Sequence, residues 1–321
     1  MLEENAAAEA GTEWVWEADP PSLTAEQSEM LDITIREVLA SPLSAGVDPK
    51  GAKFEVWRYM EAAQWRLEPA RGKRVSSFFL ETLEWRKKER VDSVMDRADS
   101  FKREATTGKL FVRGTCYLGR PLIWAHLGRD GDDLDPEADV RFLIYTVERA
   151  IASMGPEALG PKSKGQFCVV IDCSMVKGMG QLPSFTFCRE AMSMFMLRYP
   201  FRLGKLFLVN AGMAVFYLWQ GISLLLPQDT RKKIEVVAGT DKQRQEVLVR
   251  HISAEALRGG RLGCPGAPPF DTESYLAGRD AGGVVNHVDP PPSGKAFFDT
   301  ESYLAQRDAG GVLSHVDPPS S

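Results

Sequence analysis

Histidine is scarce, with four in 321 residues, and two of these, His287 and His315, fall at matching places of a duplicated tail segment. The other two, His126 and His251, stand alone in the sequence and read as structural residues, which leaves little material for acid–base catalysis near neutral pH. Five cysteines, an odd number without metal-ligand spacing, argue against a zinc site or a disulfide framework and suit buried thiols in a reducing compartment. Cys173 follows an apolar strand, but Met179 stands where a phosphate-cradling arginine would be needed. Gly178-Met-Gly180 lacks a third glycine, and Thr106-Thr-Gly108-Lys109 lacks the upstream glycine of a P-loop. No nucleophile and base come together, so an enzyme is not expected. MLEENAAAEA has neither a basic start nor an apolar core, so no secretory or transit signal is expected.

Basic charge is nearly missing from both ends. Residues 1–50 hold 2 Lys or Arg against 11 Asp or Glu, and residues 264–321 hold 3 against 8. Between them, residues 51–263 hold 34 basic against 25 acidic side chains, a net of +9 inside a chain of net −5. A basic body with acidic arms suits an anionic surface such as phospholipid headgroups.

Uncharged runs are short, with one exception. Leu206–Leu226, LFLVNAGMAVFYLWQGISLLL, carries no charge over 21 residues, which is long enough to cross a bilayer. Its internal punctuation argues otherwise. Asn210-Ala-Gly212 is a turn signal; the residues before it suit a buried strand and those after it a helix that Pro227 stops. Val215, Trp219, Ile222 and Leu226 form one stripe of that helix. Phe216, Tyr217, Leu218, Leu224 and Leu225 make it apolar on its other sides as well. Its second face therefore needs a lipid, a membrane surface or a partner protein.

Along the chain, residues 1–22 read as a disordered acidic arm and residues 23–100 as a small helical lobe. In the lobe, Thr24 and Gln27 form a capping box opening a helix to about residue 40, with Leu31, Ile35, Val38 and Leu39 on one face. A helical pattern then runs over 53–90. From residue 101 to 263 strands and helices alternate. Strands are expected at Leu110–Val112, Leu122–Trp124, Phe167–Ile171, 205–209 and Ile234–Val237, and helices over 136–153, 184–198 and 241–250. This is an α/β protein with a mainly parallel sheet. Phe185, Met192, Phe195 and Met196 on the 184–198 helix suit either core or a pliable ligand wall.

Gly119-Arg-Pro121 before an apolar strand, Cys168-Val-Val-Ile-Asp172, Tyr199-Pro-Phe-Arg-Leu-Gly-Lys-Leu-Phe-Leu-Val-Asn210 and Thr230-Arg-Lys-Lys233-Ile234 come in an order that resembles the CRAL-TRIO lipid-binding domain of cellular retinaldehyde-binding and phosphatidylinositol-transfer proteins. The resemblance covers about 100–263, and 24–90 looks like the family's N-terminal lobe. It implies a sheet floor and helices around one lipid, with the very apolar helix (Val215, Phe216, Trp219, Ile222, Leu226) as a mobile gate. By the same resemblance Val147, Phe167, Val169, Ile171, Phe195, Leu203, Leu206 and Leu208 would line the cavity. Arg202, Thr230 and Lys233 would hold a headgroup. Three departures point towards a drier site. Phe201 stands where phosphatidylinositol-transfer members have glutamate, Glu61 where they have a headgroup arginine, and Phe167 and Val169 where hydroxyls hold phosphatidylcholine.

The implied function is to bind one lipid, a phospholipid such as phosphatidylinositol or a less polar lipid, and to carry or present it between membranes. The alternative is a non-enzymatic scaffold using the apolar helix and the tail. No cofactor beyond the bound lipid, no metal and no nucleic acid is expected, and the implied location is cytoplasmic, peripheral on membranes. The tail, 264–321, repeats itself: 270–291 returns as 298–319, identical at 19 of 22 positions. Its Pro, Gly and acidic content predicts low order. Phe297-Phe-Asp-Thr-Glu-Ser302 resembles the motif by which lipid-transfer proteins dock on VAMP-associated receptors of the endoplasmic reticulum, although Lys295 and the missing leading phenylalanine of the first copy depart from it.

Overall fold

A computed structural model describes residues 23–45, 47, 49–129, 135–178, 182–260 and 271–277. The acidic arm and most of the tail, with the second repeat, lie outside the described residues. The chain opens with three helices, α1 (Ala25–Leu39), α2 (Pro49–Ala62) and α3 (Val75–Glu89). The capping box at the start of α1 is formed: Gln27 N–H donates to Thr24 Oγ1 at 3.2 Å, and Thr24 N–H to Gln27 Oε1 at 3.0 Å. Leu31 and Val38 are buried, but Leu39 is 38% exposed, and Thr34 takes a place on the inner face by donating to the Met30 carbonyl at 2.8 Å.

The helical pattern expected over 53–90 is two helices. Gln64 and Trp65 adopt left-handed φ angles of 53° and 58°, which closes α2. Pro69 and Gly72 then occupy the connection, one unable to donate within a helix and the other at a φ of 68°. Leu31, Val38, Phe54, Trp57, Met60 and Phe79 make this lobe's core.

A short helix, α4 (Lys102–Thr106), leads into the sheet. In chain order the rest is β1 (Leu110–Thr115), β2 (Pro121–His126), α5 (Pro136–Ala152), α6 (Pro156–Leu159), β3 (Phe167–Asp172), α7 (Phe185–Arg198), β4 (Leu203–Val209), α8 (Met213–Ser223), α9 (Gln228–Arg231), β5 (Ile234–Val237), α10 (Asp241–Leu248) and α11 (Ala254–Gly259). The sheet order is β1-β2-β3-β4-β5, antiparallel at the first pair and parallel thereafter. Helical crossovers between successive strands produce that parallel run.

Two buried ionic clasps tie the lobe to the sheet domain. Arg202 donates to Glu55 of α2 at 2.7 Å and to the Gly165 carbonyl at 2.9 Å. Arg86 of α3 donates to Glu148 of α5 at 2.8 Å, and Tyr199 Oη donates to the same carboxylate at 2.7 Å. Burial opposes the Arg86 charge, but Glu148 more than offsets it and raises the arginine's pKa.

The expected low order of the tail does not extend to residues 271–277. They form α12 (Thr272–Ala277), with Thr272, Tyr275 and Leu276 buried against the sheet domain.

Candidate functional site

Register decides which side chains share a face. Val169 of β3 pairs with Leu206 of β4, and Leu206 with Ile234 of β5; Ile171, Leu208 and Val236 make the next row. Side chains alternate along a strand, so these six project from one face. Val170, Phe207, Val209 and Val237 project from the other face and are buried. On the six-residue face only Leu208 is buried; Val169, Ile171, Leu206 and Ile234 are half-buried, and Val236 is 37% exposed. Parallel sheet is normally covered on both sides. Here one side is sealed and the other is an aliphatic floor that stays partly exposed.

Helices α7 and α8 stand over that floor. Val215 and Trp219 of α8 pack with Ile171, Leu206 and Leu208. Phe195 of α7 lies 6.2 Å, ring to ring, from Phe167, and both share a cluster with Val147, Val169 and Leu203. The structure thus gathers all eight expected wall and floor residues on this side of the sheet. The methionine and phenylalanine stripe of α7 divides: Phe185 and Met196 face solvent, Met192 and Phe195 are half-buried, and the buried methionine is Met194.

On α8 Val215 is buried and Trp219 and Ile222 are half-buried, as the spacing predicts, but the helix ends at Ser223, not at Pro227, so the fourth residue of the expected stripe, the buried Leu226, lies beyond it. Phe216, grouped with the gate residues, lies on the outer side with Met213 and Tyr217, and Leu224 beyond the helix end is 79% exposed. Asn210 (φ 58°) makes the turn into α8, and its side chain donates to Asp172 Oδ1 at 2.8 Å. His126 binds the other Asp172 oxygen at 3.3 Å and the Gly260 carbonyl at 3.0 Å, so Asp172 joins the ends of β2, β3 and β4. Gly212, the residue before α8, has open space where a side chain would be. The helix hangs between a fixed turn and the buried Leu226.

The three expected headgroup residues part company. Arg202, 2% exposed, is committed to the Glu55 clasp. Thr230 is half-buried in α9. Lys233 donates to the Leu203 carbonyl at 2.9 Å and lies 4.7 Å from the Phe201 ring centroid. Lys164 approaches the same ring at 5.7 Å, and the Arg120 guanidinium lies over Gly204, where a Cβ would come within 2.8 Å of it. Burial, then repulsion from Arg120, lowers the Lys233 pKa, and Asp229 and Glu61 offset only part of this. Sequence reasoning missed Arg120 and Lys164, as well as Ile234 and Val236. Arg120 lay inside a motif used for the resemblance and given no role of its own, while the alternation in Ile234-Glu-Val-Val237 was the signal for the floor's third strand.

The fold is a mainly parallel α/β sheet with one half-covered aliphatic face beneath α7 and α8. Residues 105–259 match the family model described as the CRAL/TRIO domain, a domain of lipid-binding and transfer proteins. The chain is 26% identical over 227 residues to a CRAL-TRIO domain-containing protein of Schizosaccharomyces pombe, across 67% of this chain and 21% of that protein. It is 27% identical over 239 residues to Sec14 cytosolic factor of the same organism, across 68% of this chain and 80% of that one. The chain therefore spans about a fifth of the first relative and four fifths of the second. Its fold is similar to the crystal structure of Sfh5, with a TM-score of 0.56 and 14% identity over 89% of this chain and 99% of the other. Among the described residues no helix is long and apolar enough to cross a membrane.

The Asn210 latch is testable. Asn210→Gly keeps the left-handed turn and removes the amide donor to a buried carboxylate, which should cost about 1.5–3 kcal/mol of stability in urea denaturation. A change under about 0.5 kcal/mol would mean that the latch is idle.

Proposed function

We propose that the chain binds a single lipid between the aliphatic floor and helices α7 and α8, and carries or presents it between membranes with α8 as the gate. The observation that supports this best is the pair of aliphatic rows left half-covered beside a fully buried opposite face. Each CH₂ moved from water to an apolar site gains about 0.8 kcal/mol, so exposing two chains of ~16 carbons costs on the order of 25 kcal/mol. A carrier must replace the bilayer contact by contact, and floor, wall and gate side chains suit that task. The outward Met213, Phe216, Tyr217, Leu224 and Leu225 give the gate a face that a membrane would cover, and the basic body favours an anionic one. Recombinant protein should release one lipid per chain in native mass spectrometry and move lipid between vesicles. Protein that carries no lipid and transfers none would overturn this reading.

Lys233 and Lys164 beside Phe201, with Arg120 over Gly204, support an anionic headgroup near that end of the sheet, with Thr230 near it in sequence and Arg202 kept in its clasp. Lys233→Ala should weaken binding of anionic phospholipid about 10–100-fold and spare a neutral lipid. Equal loss for both would place the headgroup elsewhere.

Phe297-Phe-Asp-Thr-Glu-Ser302, outside the described residues, is our candidate for docking on a receptor of the endoplasmic reticulum, with an aromatic anchor and flanking carboxylates. A tail peptide should capture the receptor in a pull-down, and the Phe297→Ala/Phe298→Ala peptide should not.

A further inference from the structure

Helix α12 is held by a seat formed from three parts of the sheet domain. The Tyr275 hydroxyl accepts from the Val112 N–H at 3.3 Å, on β1 at the end of the sheet. The Tyr275 carbonyl, near the helix end and in need of a partner, accepts from Arg149 at 2.5 Å. The same guanidinium stands 3.8 Å over the Tyr275 ring and donates to Tyr145 Oη at 2.6 Å. Arg149 is wholly buried and makes no ion pair among the described residues. The tail's carbonyl and ring are thus a main part of what solvates this cation. Glu273 pairs with Lys102, Thr272 Oγ1 lies 3.5 Å from Thr106 Oγ1, and Asp271 accepts from the Ser274 N–H at 3.0 Å.

Every tail residue in these contacts lies within Phe270–Ala277, FDTESYLA. Residues 298–305 are the same eight letters. The three differences between the repeats, Gly278/Gln306, Val285/Leu313 and Asn286/Ser314, all fall after the seated segment. Asp299, Thr300, Glu301, Ser302, Tyr303 and Leu304 therefore carry the same groups that make the contacts described for the first copy.

We propose that residues 298–305 are a second, interchangeable plug for this seat, exchanging with 270–277 in the same chain. From Gly260, the seat is 11 residues away for Asp271 and 39 for Asp299. At up to ~3.3–3.6 Å per residue both can reach. Closure entropy grows as the three-halves power of tether length, which favours the first copy about sevenfold. The seat holds the first copy in most molecules and the second in roughly one of eight. While one copy is seated the other is displaced, so whichever partner binds the free copy shifts the exchange. Because Phe298–Ser302 belongs both to the second plug and to the candidate receptor motif, seating that copy and docking it would exclude each other.

Amide exchange at Val112 tests this in the full chain. Tyr303→Ala should leave its protection unchanged, Tyr275→Ala should lower it about eightfold, and the double variant should abolish it. If Tyr275→Ala alone loses as much as the double variant, the second copy does not take the seat. A crosslink tests the same point without weakening the core. Thr106→Cys should form a disulfide with Thr272→Cys, and, paired instead with Thr300→Cys, should trap the second copy within one chain more slowly. No bond at position 300, or bonds only between two chains, would overturn the proposal.

Discussion

Aliphatic side chains on a parallel sheet must be covered, and in this chain one face is left for something else to cover. Val169, Leu206, Ile234, Ile171, Leu208 and Val236 are arranged by strand register alone. Full burial of such a side chain is worth about 1.5–3 kcal/mol, so leaving most of the set half-exposed sacrifices stability that a closed core would keep. The apolar character of α8 follows from it, since a helix that closes over a greasy floor must itself be greasy on that side. So does the need to fix both ends of α8, through Asn210 on Asp172 and through the buried Leu226.

The charged interior answers the opposite demand. Arg202 with Glu55, and Arg86 with Glu148 and Tyr199, join the helical lobe to the back of the site through short, buried bonds. Buried ion pairs add little net stability over apolar packing, but breaking one leaves an uncompensated charge, so they define geometry strictly. Lobe and sheet are held in one arrangement, while the side bearing α7 and α8 is held mainly by non-directional apolar contact.

Much of this was legible in the sequence because it is local. Alternating strands and helices, the capping box at Thr24, the Asn210 turn and the Val215-Trp219-Ile222 part of the stripe each depend on a few neighbouring residues, and each is found. What depends on distant partners was not legible. Arg202 was expected from the resemblance to hold a headgroup, and nothing near it in sequence announces its partner Glu55. The break at Gln64–Trp65 was hidden because the apolar spacing continues across it while Pro69 and Gly72 stand several residues on. The tail's polar composition concealed Tyr275, since one buried aromatic and one carbonyl suffice to seat a helix when a buried arginine waits for them.

The seating of Tyr275 on Val112 bears on the chain's solution behaviour. β1 ends the sheet, and the outer edge of such a strand presents backbone groups in the geometry that another strand would pair with. The tyrosine hydroxyl on the Val112 amide, with α12 packed beside it, blunts that edge much as a covering loop does. On the exchange proposed above, a second identical segment would keep that edge covered when the first leaves it, and so would guard against edge-to-edge aggregation.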